Sequence, residues 1–181
     1  MPVARLVIPS EVAESLTISP LKKENRDVSA SLDMTKVLVI ADTHNKLPSP
    51  ILELAASADE IWHLGDVCDE WVLDELQSLG LPVTLVRGNC DGNYDWPLVC
   101  DITRNGIRFR LQHICPPPRR ASDYDILLHG HTHVPRDETI AGVRFLNPGC
   151  VTRPNRGAPP SIGRLDISDA GKVNWRLQLL R

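Results

Sequence analysis

The chain has 181 residues and a hydrophobic content of 42%, which is enough for one domain with a buried core. Its net charge of −3 and its aromatic content of only 4% exclude a broadly basic surface for long nucleic acid and an aromatic platform for stacked bases. Five cysteines without a C-x-x-C pair indicate free thiols in the reducing cytoplasm, and no apolar run approaches the ~20 residues that cross a membrane.

Residues 1–33 differ in composition from the rest of the chain. They contain no glycine, histidine or aromatic residue, and their longest apolar run is Leu6-Val7-Ile8. A signal peptide needs an apolar stretch of at least ~7 residues, so this segment does not read as one. We expect a poorly ordered N-terminal extension over residues 1–33 and one folded domain over residues 34–181.

The first half of the folded region alternates strands and helices. The predicted elements are a strand over 36–41, a helix over 50–57, a strand over 61–64, a helix over 70–79 and a strand over 83–86. The strands are short and mainly apolar, and the second helix carries apolar residues at helical spacing. This order favours a parallel sheet with crossover helices.

The second half is rich in strands. Asn105-Gly106 is a strong hairpin signal between strands over 99–103 and 107–111. Further strands are predicted over 125–128, 139–140, 143–146, 162–167 and 173–179, of which the last four pair as two hairpins. The two halves together predict an α/β fold, a four-layer α/β/β/α sandwich of two mixed β-sheets flanked by helices.

Polar residues stand where the predicted strands end. The residues in these positions are Asp42, Asp66, Asn89, His113 and His129. Ligands of an α/β sheet collect beyond the carboxyl ends of its strands, so we expect these side chains at one rim. Imidazole, carboxylate and carboxamide groups are ligands for divalent metals, and two adjacent metals make a hydrolytic site.

The motifs at these positions differ in how much each one indicates alone. The triplet that runs from Asp42 to His44 favours a surface turn when taken alone, and Gly65-Asp66 and Gly88-Asn89 are common turn dipeptides. The alternating histidines of Gly130-His131-Thr132-His133 indicate more. In an extended segment they would point to opposite faces, so they fit a loop that wraps metal ions.

The order of the blocks gives the strongest indication. D-x-H at Asp42, G-D at Gly65, G-N at Gly88, a lone histidine at His113 and G-H-x-H at Gly130 follow one another along the chain. In this the chain resembles the calcineurin-like metallophosphoesterase superfamily, and within it the small single-domain bacterial and archaeal phosphodiesterase branch. The resemblance covers about residues 35–180.

The resemblance implies two divalent metal ions that share one bridging aspartate. The ligands that it implies are Asp42, His44 and His133 for one ion, Asn89, His113 and His131 for the other, and Asp66 for both. Manganese is the first expectation, with nickel, iron, cobalt and zinc as alternatives. The family usually has glycine after the lone histidine, whereas here Ile114 follows His113.

The catalytic candidates are Asn89, Cys90, Asp91 and His131. Many relatives have histidine where Cys90 stands, and a thiol is a poorer general acid at neutral pH. Arg153 and Arg156 are candidate substrate-binding residues that would grip phosphate oxygens, and a solvated loop is the alternative interpretation of this pair.

The resemblance predicts a hydrolase for small phosphoester substrates that uses a metal-bridging hydroxide. Phosphodiesters are expected to be better substrates than alkyl monoesters, because Cys90 protonates a leaving group poorly. Two alternatives are a protein-interaction scaffold, the role that the same fold has in the retromer coat, and a metal-storage or sensing protein. A homodimer is among the expected assemblies.

The two remaining histidines are predicted to lie outside the direct ligand set. His63 falls within an apolar strand, which indicates a core histidine with its hydrogen bonds satisfied. His129 precedes the glycine of the last block and is expected to support the ligands rather than bind metal itself.

Overall fold

The computed structural model describes residues 34–118 and 122–180, so the predicted extension over residues 1–33 lies outside the described residues. This part of the chain contains ten strands and two helices. Their bounds are β1 Met34–Ile40, α1 Ser49–Ala55, β2 Glu60–His63, α2 Trp71–Ser78, β3 Val83–Leu85, β4 Val99–Arg104, β5 Ile107–Gln112, β6 Ile126–Leu128, β7 Arg136–Ile140, β8 Val143–Asn147, β9 Ser161–Ser168 and β10 Val173–Leu179.

The first sheet has the strand order β10-β9-β1-β2-β3. β1, β2 and β3 run parallel, with Leu38 opposite Ile61 and Ile61 opposite Val83. α1 and α2 connect these strands in sequence, as the alternation of strands and helices predicts. β9 returns antiparallel to β1, and β10 pairs antiparallel with β9, which makes the sheet mixed.

The second sheet has the strand order β4-β5-β6-β8-β7, with parallel strands in its centre and an antiparallel strand at each edge. The hairpin between β4 and β5 turns at Asn105 (φ 50°) and Gly106 (φ 80°), the pair of left-handed residues that a type I′ turn requires. β7 begins at Arg136 rather than at the predicted residue 139, because its pairing with β8 continues until Arg136 lies opposite Asn147.

The two sheets pack face to face around an apolar core. Val39 and Trp62 from the first sheet belong to it, as do Phe109 and Leu128 from the second. The rings of Trp62 and Phe109 meet edge to face with centroids 5.3 Å apart, a favourable aromatic geometry. Full burial of one large apolar side chain stabilises a fold by about 1.5–3 kcal/mol, so this core is the main source of cohesion between the sheets.

The outer faces of the two sheets are covered differently. Ile51 of α1 and Leu76 of α2 belong to one buried apolar cluster with Leu38 of the first sheet. On the second sheet, Phe145 packs against residues of the segment before β6, including Tyr124. The predicted α/β class with two mixed sheets is confirmed, and both helices of the described residues lie on the first sheet. Neither of those helices has the length and apolarity that a membrane span requires.

His63 is a fully buried histidine whose two ring nitrogens are both hydrogen-bonded. Its Nδ1 accepts a hydrogen bond from the backbone N–H of Gly65 at 3.2 Å, and its Nε2 donates to Oγ1 of Thr43 at 3.0 Å. Burial lowers the pKa of His63 to about 3, so the ring is neutral. The predicted core histidine is confirmed.

We expect His63 to make the fold less stable in acid. The unfolded chain binds a proton at this residue near pH 6.5, whereas the folded chain does so only near pH 3. The stability that neutral His63 contributes is therefore complete above pH 6.5 and is lost as the pH falls towards 3. At about pH 5 this loss is on the order of 2 kcal/mol.

The measurement is the free energy of unfolding in urea at about pH 7.5 and about pH 5. His63→Gln is the matched variant, because glutamine supplies a donor and an acceptor but does not titrate. The drop in stability between the two pH values should be about 2 kcal/mol smaller in the variant. If the free energy of unfolding dropped equally in both proteins, His63 would have the same pKa in the folded and the unfolded chain.

Candidate metal centre

The polar residues predicted at the strand ends come together at one rim of the sandwich. Asp42 follows β1, Asp66 follows β2 and Asn89 lies in the loop after β3, all in the first sheet. His113 follows β5, and the segment 129–133 follows β6, both in the second sheet. The rim is therefore assembled by loops of both sheets.

Five of the seven predicted ligands adopt the left-handed backbone conformation, which residues other than glycine seldom do. They are Asp42 (φ 56°), His44 (φ 45°), Asp66 (φ 57°), His131 (φ 68°) and His133 (φ 59°). This conformation costs an L-residue about 1–2 kcal/mol. Clusters of such strain are typical of functional sites, where the surrounding structure fixes side chains in orientations that regular elements do not supply.

Gly88 shows why one of the motifs needs its glycine. A Cβ atom at this position would lie 2.2 Å from both the backbone nitrogen and Oδ1 of Asp66. Any side chain at residue 88 would therefore displace the carboxylate of the preceding block. The glycine of the Gly88-Asn89 motif makes room for Asp66 in addition to forming a turn.

One group of donor atoms belongs to Asp42, His44 and His133. Nε2 of His133 lies 3.3 Å from Oδ1 of Asp42 and 3.3 Å from Nε2 of His44. Nδ1 of His133 donates to the backbone carbonyl oxygen of Arg153 at 2.5 Å, which leaves a lone pair on Nε2. The structure thus brings together the three residues predicted for the first ion.

A second group forms around His113. Its Nε2 lies 3.0 Å from Oδ1 of Asn89 and 3.3 Å from Oδ1 of Asp66. Its Nδ1 donates to the backbone carbonyl oxygen of Leu64 at 2.8 Å, so Nε2 faces the two side-chain oxygens and presents a lone pair to them when the imidazole is neutral. His113 occupies this position although Ile114 follows it in place of glycine.

Asp66 lies between the two groups. Its Oδ1 is 3.3 Å from Nε2 of His113, and its Oδ2 is 3.9 Å from Nε2 of His44. His131 borders the second group, with its ring centroid 5.2 Å from that of His113. The backbone N–H of His131 donates to the Asp42 carboxylate at 3.2 Å, which fastens the histidine loop of the second sheet to the first.

The electrostatics favour positive charge between the carboxylates. Burial raises the pKa of Asp42 to about 6, although His113 and His133 act to lower it. Burial acts in the same direction on Asp66, but hydrogen bonds from His113 and from the backbone N–H of Cys90 outweigh it and hold the pKa of Asp66 below its usual range. Burial also disfavours the charged form of His113, but the hydrogen bond to Asp66 and the charges of Asp66 and Asp42 raise its pKa.

The donor set fits divalent ions of the first transition row. Nε2 of His113 faces the oxygens of Asn89 and Asp66 at 3.0 and 3.3 Å, and all three atoms are acceptors when the imidazole is neutral. Acceptors that face one another are stabilised by a cation between them. Imidazole together with carboxylate and carboxamide oxygens suits manganese, iron, cobalt, nickel or zinc.

Asp91 lies beneath the loops and does not face the donor groups. Its Oδ2 accepts hydrogen bonds from the backbone N–H groups of Asp66 at 3.0 Å and Gly88 at 2.6 Å, and its Oδ1 accepts one from that of Cys68 at 2.7 Å. Only 6% of the residue is exposed. Both carboxylate oxygens of Asp91 are therefore occupied in holding two loops together, and its predicted catalytic role stays a prediction.

Cys90 is exposed next to Asn89, and its backbone N–H donates to Oδ1 of Asp66 at 2.8 Å. Burial, the hydrogen bond to Asp66 and the charge of Asp66 all raise the pKa of the Cys90 thiol above its usual value. A thiol with a raised pKa gives up its proton reluctantly, so Cys90 is poorly suited to act as a general acid at neutral pH.

Arg153 and Arg156 lie in the loop between β8 and β9. The backbone carbonyl oxygen of Arg153 accepts a hydrogen bond from His133. Burial is the main cause of the lowered pKa of His44, and the positive charge of Arg153 contributes to it. Arg156 lines a cleft of about 470 Å³ together with His131. Both arginines therefore border the donor groups, and their binding of phosphate stays a prediction.

A buried network centred on Asn147 supports the histidine loop, and Asn147 was not among the predicted site residues. Nδ2 of Asn147 donates to the carbonyl oxygen of Gly130 at 2.9 Å and to Oγ1 of Thr132 at 3.1 Å, and Oδ1 accepts from the N–H of Gly149 at 2.8 Å. Burial lowers the pKa of His129 to about 4, so this ring is neutral within the network. The turn Asn147-Pro148-Gly149 is the sequence signal that could have indicated this support.

Comparison with known proteins gives consistent results. Residues 35–170 match the family model described as the calcineurin-like phosphoesterase superfamily domain. The phosphodiesterase YfcE of Escherichia coli strain K12 is 31% identical over 162 residues, which cover 74% of this chain and 88% of that protein. A probable metallophosphoesterase of Methanocaldococcus jannaschii is 32% identical over 147 residues, covering 72% and 75% of the two chains.

Solved structures also resemble the fold. A crystal structure of a Vps29 single mutant from Entamoeba histolytica superposes with a TM-score of 0.65 at 26% identity, covering 81% of this chain and 100% of that chain. This likeness is consistent with the sandwich of two mixed sheets.

Proposed function

The chain belongs to the calcineurin-like phosphoesterase superfamily, and we propose that it hydrolyses phosphodiester bonds of small substrates through a dinuclear metal centre. One observation carries the proposal. Asp66 directs one carboxylate oxygen towards His113 and the other towards His44, which belong to two separate groups of donors. A carboxylate in this position can bridge two ions ~3.5–4 Å apart.

The proposed ligands follow the two donor groups. They are Asp42, His44 and His133 for one ion, Asn89, His113 and His131 for the other, and Asp66 for both. Manganese is the first candidate for both positions, and the same donors would also accept iron, cobalt, nickel or zinc. Two ions held by these residues would supply the Lewis-acid chemistry that gives a hydroxide nucleophile at neutral pH and that neutralises charge on the phosphate oxygens.

The chain's own residues orient the ligands and the substrate. The carbonyl oxygens of Leu64 and Arg153 fix the rings of His113 and His133, so that each presents Nε2 to the centre. Arg153 and Arg156 border the donor groups and would hold the non-bridging phosphate oxygens. Asn89 and His131 are the ligands that would also contact the substrate. Asp91 holds together the loops that carry Asp66 and Asn89.

We expect the enzyme to prefer activated diesters over alkyl monoesters. An alkoxide leaving group needs a proton donor, and Cys90 is a poor one because burial and Asp66 raise the pKa of its thiol. The measurement is kcat/KM for bis-nitrophenyl phosphate and for glycerol phosphate in the presence of manganese. The diester should be turned over at least about tenfold more efficiently.

Cys90→His is the informative variant for this preference. Histidine supplies a proton donor with a pKa near neutrality, so turnover of the alkyl monoester should rise by about tenfold while the activated diester changes little. Equal or faster hydrolysis of alkyl monoesters by the wild-type protein would contradict the proposed role of residue 90.

A second candidate function is a protein-interaction scaffold. It is favoured by the likeness to the Vps29 structure, at a TM-score of 0.65 and 26% identity. The 31% identity to a phosphodiesterase and the full set of donor residues favour an enzyme. Elemental analysis combined with the diester assay separates the two, because a scaffold would show no turnover with any divalent ion.

A further inference from the structure

Two thiols and an imidazole nitrogen form a separate cluster beside the proposed hydrolytic centre. The donor atoms of His44, Cys68 and Cys90 all lie within 4.8 Å of one another. Nδ1 of His44 is 3.5 Å from Sγ of Cys68, whereas Nε2 of the same ring faces His133. The two nitrogens of His44 therefore serve two different donor sets, and the thiols have no part in the phosphoesterase ligand set.

The distances fit a tetrahedral ion with sulfur ligands. Zinc binds nitrogen at about 2.0–2.1 Å and thiolate sulfur at about 2.3 Å, so two such ligands at a tetrahedral angle are about 3.6 Å apart. The separation of 3.5 Å between His44 and Cys68 agrees with this value. Cys90 is exposed, so a side-chain rotation can complete the set without moving the core.

The loops that carry the two thiols are fixed against each other. The backbone N–H of Cys68 donates to Asp91 at 2.7 Å, and that of Cys90 donates to Asp66 at 2.8 Å. The same Asp91 carboxylate accepts the backbone N–H of Asp66 at 3.0 Å. These bonds cross between the loops after β2 and β3, so both cysteines are held in place before any ligand binds.

The surroundings of the thiols also favour a cation. The backbone N–H of Cys68 contacts the Asp91 carboxylate, and that of Cys90 contacts the Asp66 carboxylate. These two negative charges beside the thiols attract a divalent ion. Cys68 also lines a cleft of about 570 Å³ together with Asp69 and Glu70, which opens the cluster to solvent.

We propose that Cys68, Cys90 and Nδ1 of His44 form a binding site for a thiophilic divalent cation such as zinc, distinct from the hydrolytic centre but sharing one imidazole with it. A neutral imidazole offers one ring lone pair, so the two sites compete for His44. This competition rests on the proposed hydrolytic function, whereas the sulfur-containing site itself does not.

The probe for this site is cadmium, added to the full-length protein kept reduced with a phosphine. Cadmium bound by thiolates gives a ligand-to-metal charge-transfer band in the ultraviolet, and the nitrogen and oxygen donors of the hydrolytic centre give none. The amplitude of the band at saturation should correspond to one thiolate-bound cadmium ion per chain, because cadmium held by nitrogen and oxygen donors adds nothing to it. Cys68→Ser and Cys90→Ser should each weaken binding by at least about tenfold.

Cys100→Ser is the matched control, because Cys100 is a half-buried free thiol on β4. This variant should titrate like the wild-type protein. Absence of the band in the wild-type protein would overturn the proposal, as would unchanged titrations in both Cys68→Ser and Cys90→Ser. Cadmium X-ray absorption of the wild-type protein needs no variant: two sulfur ligands per ion support the site, and a shell of nitrogen and oxygen alone overturns it.

Discussion

Replacement of Asp66 by alanine is expected to remove metal binding and hydrolysis together, with turnover falling on the order of a thousandfold or more. Asp66 faces His113 with one oxygen and His44 with the other, so its loss affects both proposed ion positions. It also removes the acceptor of the Cys90 N–H. Metal content by elemental analysis and turnover of bis-nitrophenyl phosphate should be measured on the same samples.

Asp101→Ala is the control for this change. Asp101 is an exposed carboxylate of β4 that pairs with Arg110 at 2.6 Å, and its loss should alter turnover by no more than about twofold. A folded Asp66→Ala protein that keeps full turnover and its metal content would show that Asp66 does not bridge two ions.

Replacement of Asp91 by alanine should strongly lower the free energy of unfolding. The change leaves three backbone N–H groups without their acceptor, those of Asp66, Cys68 and Gly88. Each buried donor left unsatisfied costs about 1–3 kcal/mol, so we expect a loss of about 4 kcal/mol after partial relaxation. Metal affinity should fall by about 10–100-fold, because the loops that carry the ligands lose the hydrogen bonds that connect them.

Urea unfolding in the presence of a chelator measures the stability loss separately from metal binding. Asp91→Asn should be intermediate, because asparagine keeps one oxygen acceptor. Asp95→Ala is the control, since Asp95 is an exposed carboxylate in the same loop and its loss should change stability by no more than about 0.5 kcal/mol. If Asp91→Ala unfolded at the same urea concentration as the wild-type protein, the three hydrogen bonds would contribute nothing.

Local patterns predicted the elements of the fold well. The apolar run before Asp42 became β1, and the Asn105-Gly106 turn joins β4 to β5 as expected. The order of strands within the sheets was not accessible in this way. β9 pairs with β1 across more than a hundred residues of sequence, and such a pairing leaves no periodic pattern in either segment.

The candidate site likewise has features that the sequence predicted and features that it did not. The order of the motifs identified the side chains at strand ends, such as Asp42, Asp66 and His113. The structure brings these side chains together. Their role as metal ligands stays a proposal. The positioning role of Asp91 and the proximity of Cys68 to His44 depend on how two loops approach each other, and no spacing in the sequence specifies that approach.

The division of donors between the sheets has a consequence for evolution. Asp42, Asp66 and Asn89 extend from one sheet, while His113 and His133 extend from the other. A small slip of one sheet over the other would separate the oxygen donors of the first sheet from His113 and His133 of the second, so the proposed hydrolysis would constrain the shapes of buried hydrocarbon side chains far from the rim. We therefore expect substitutions at Trp62 or Phe109 to disturb the positions of the donor groups as well as the packing of the core.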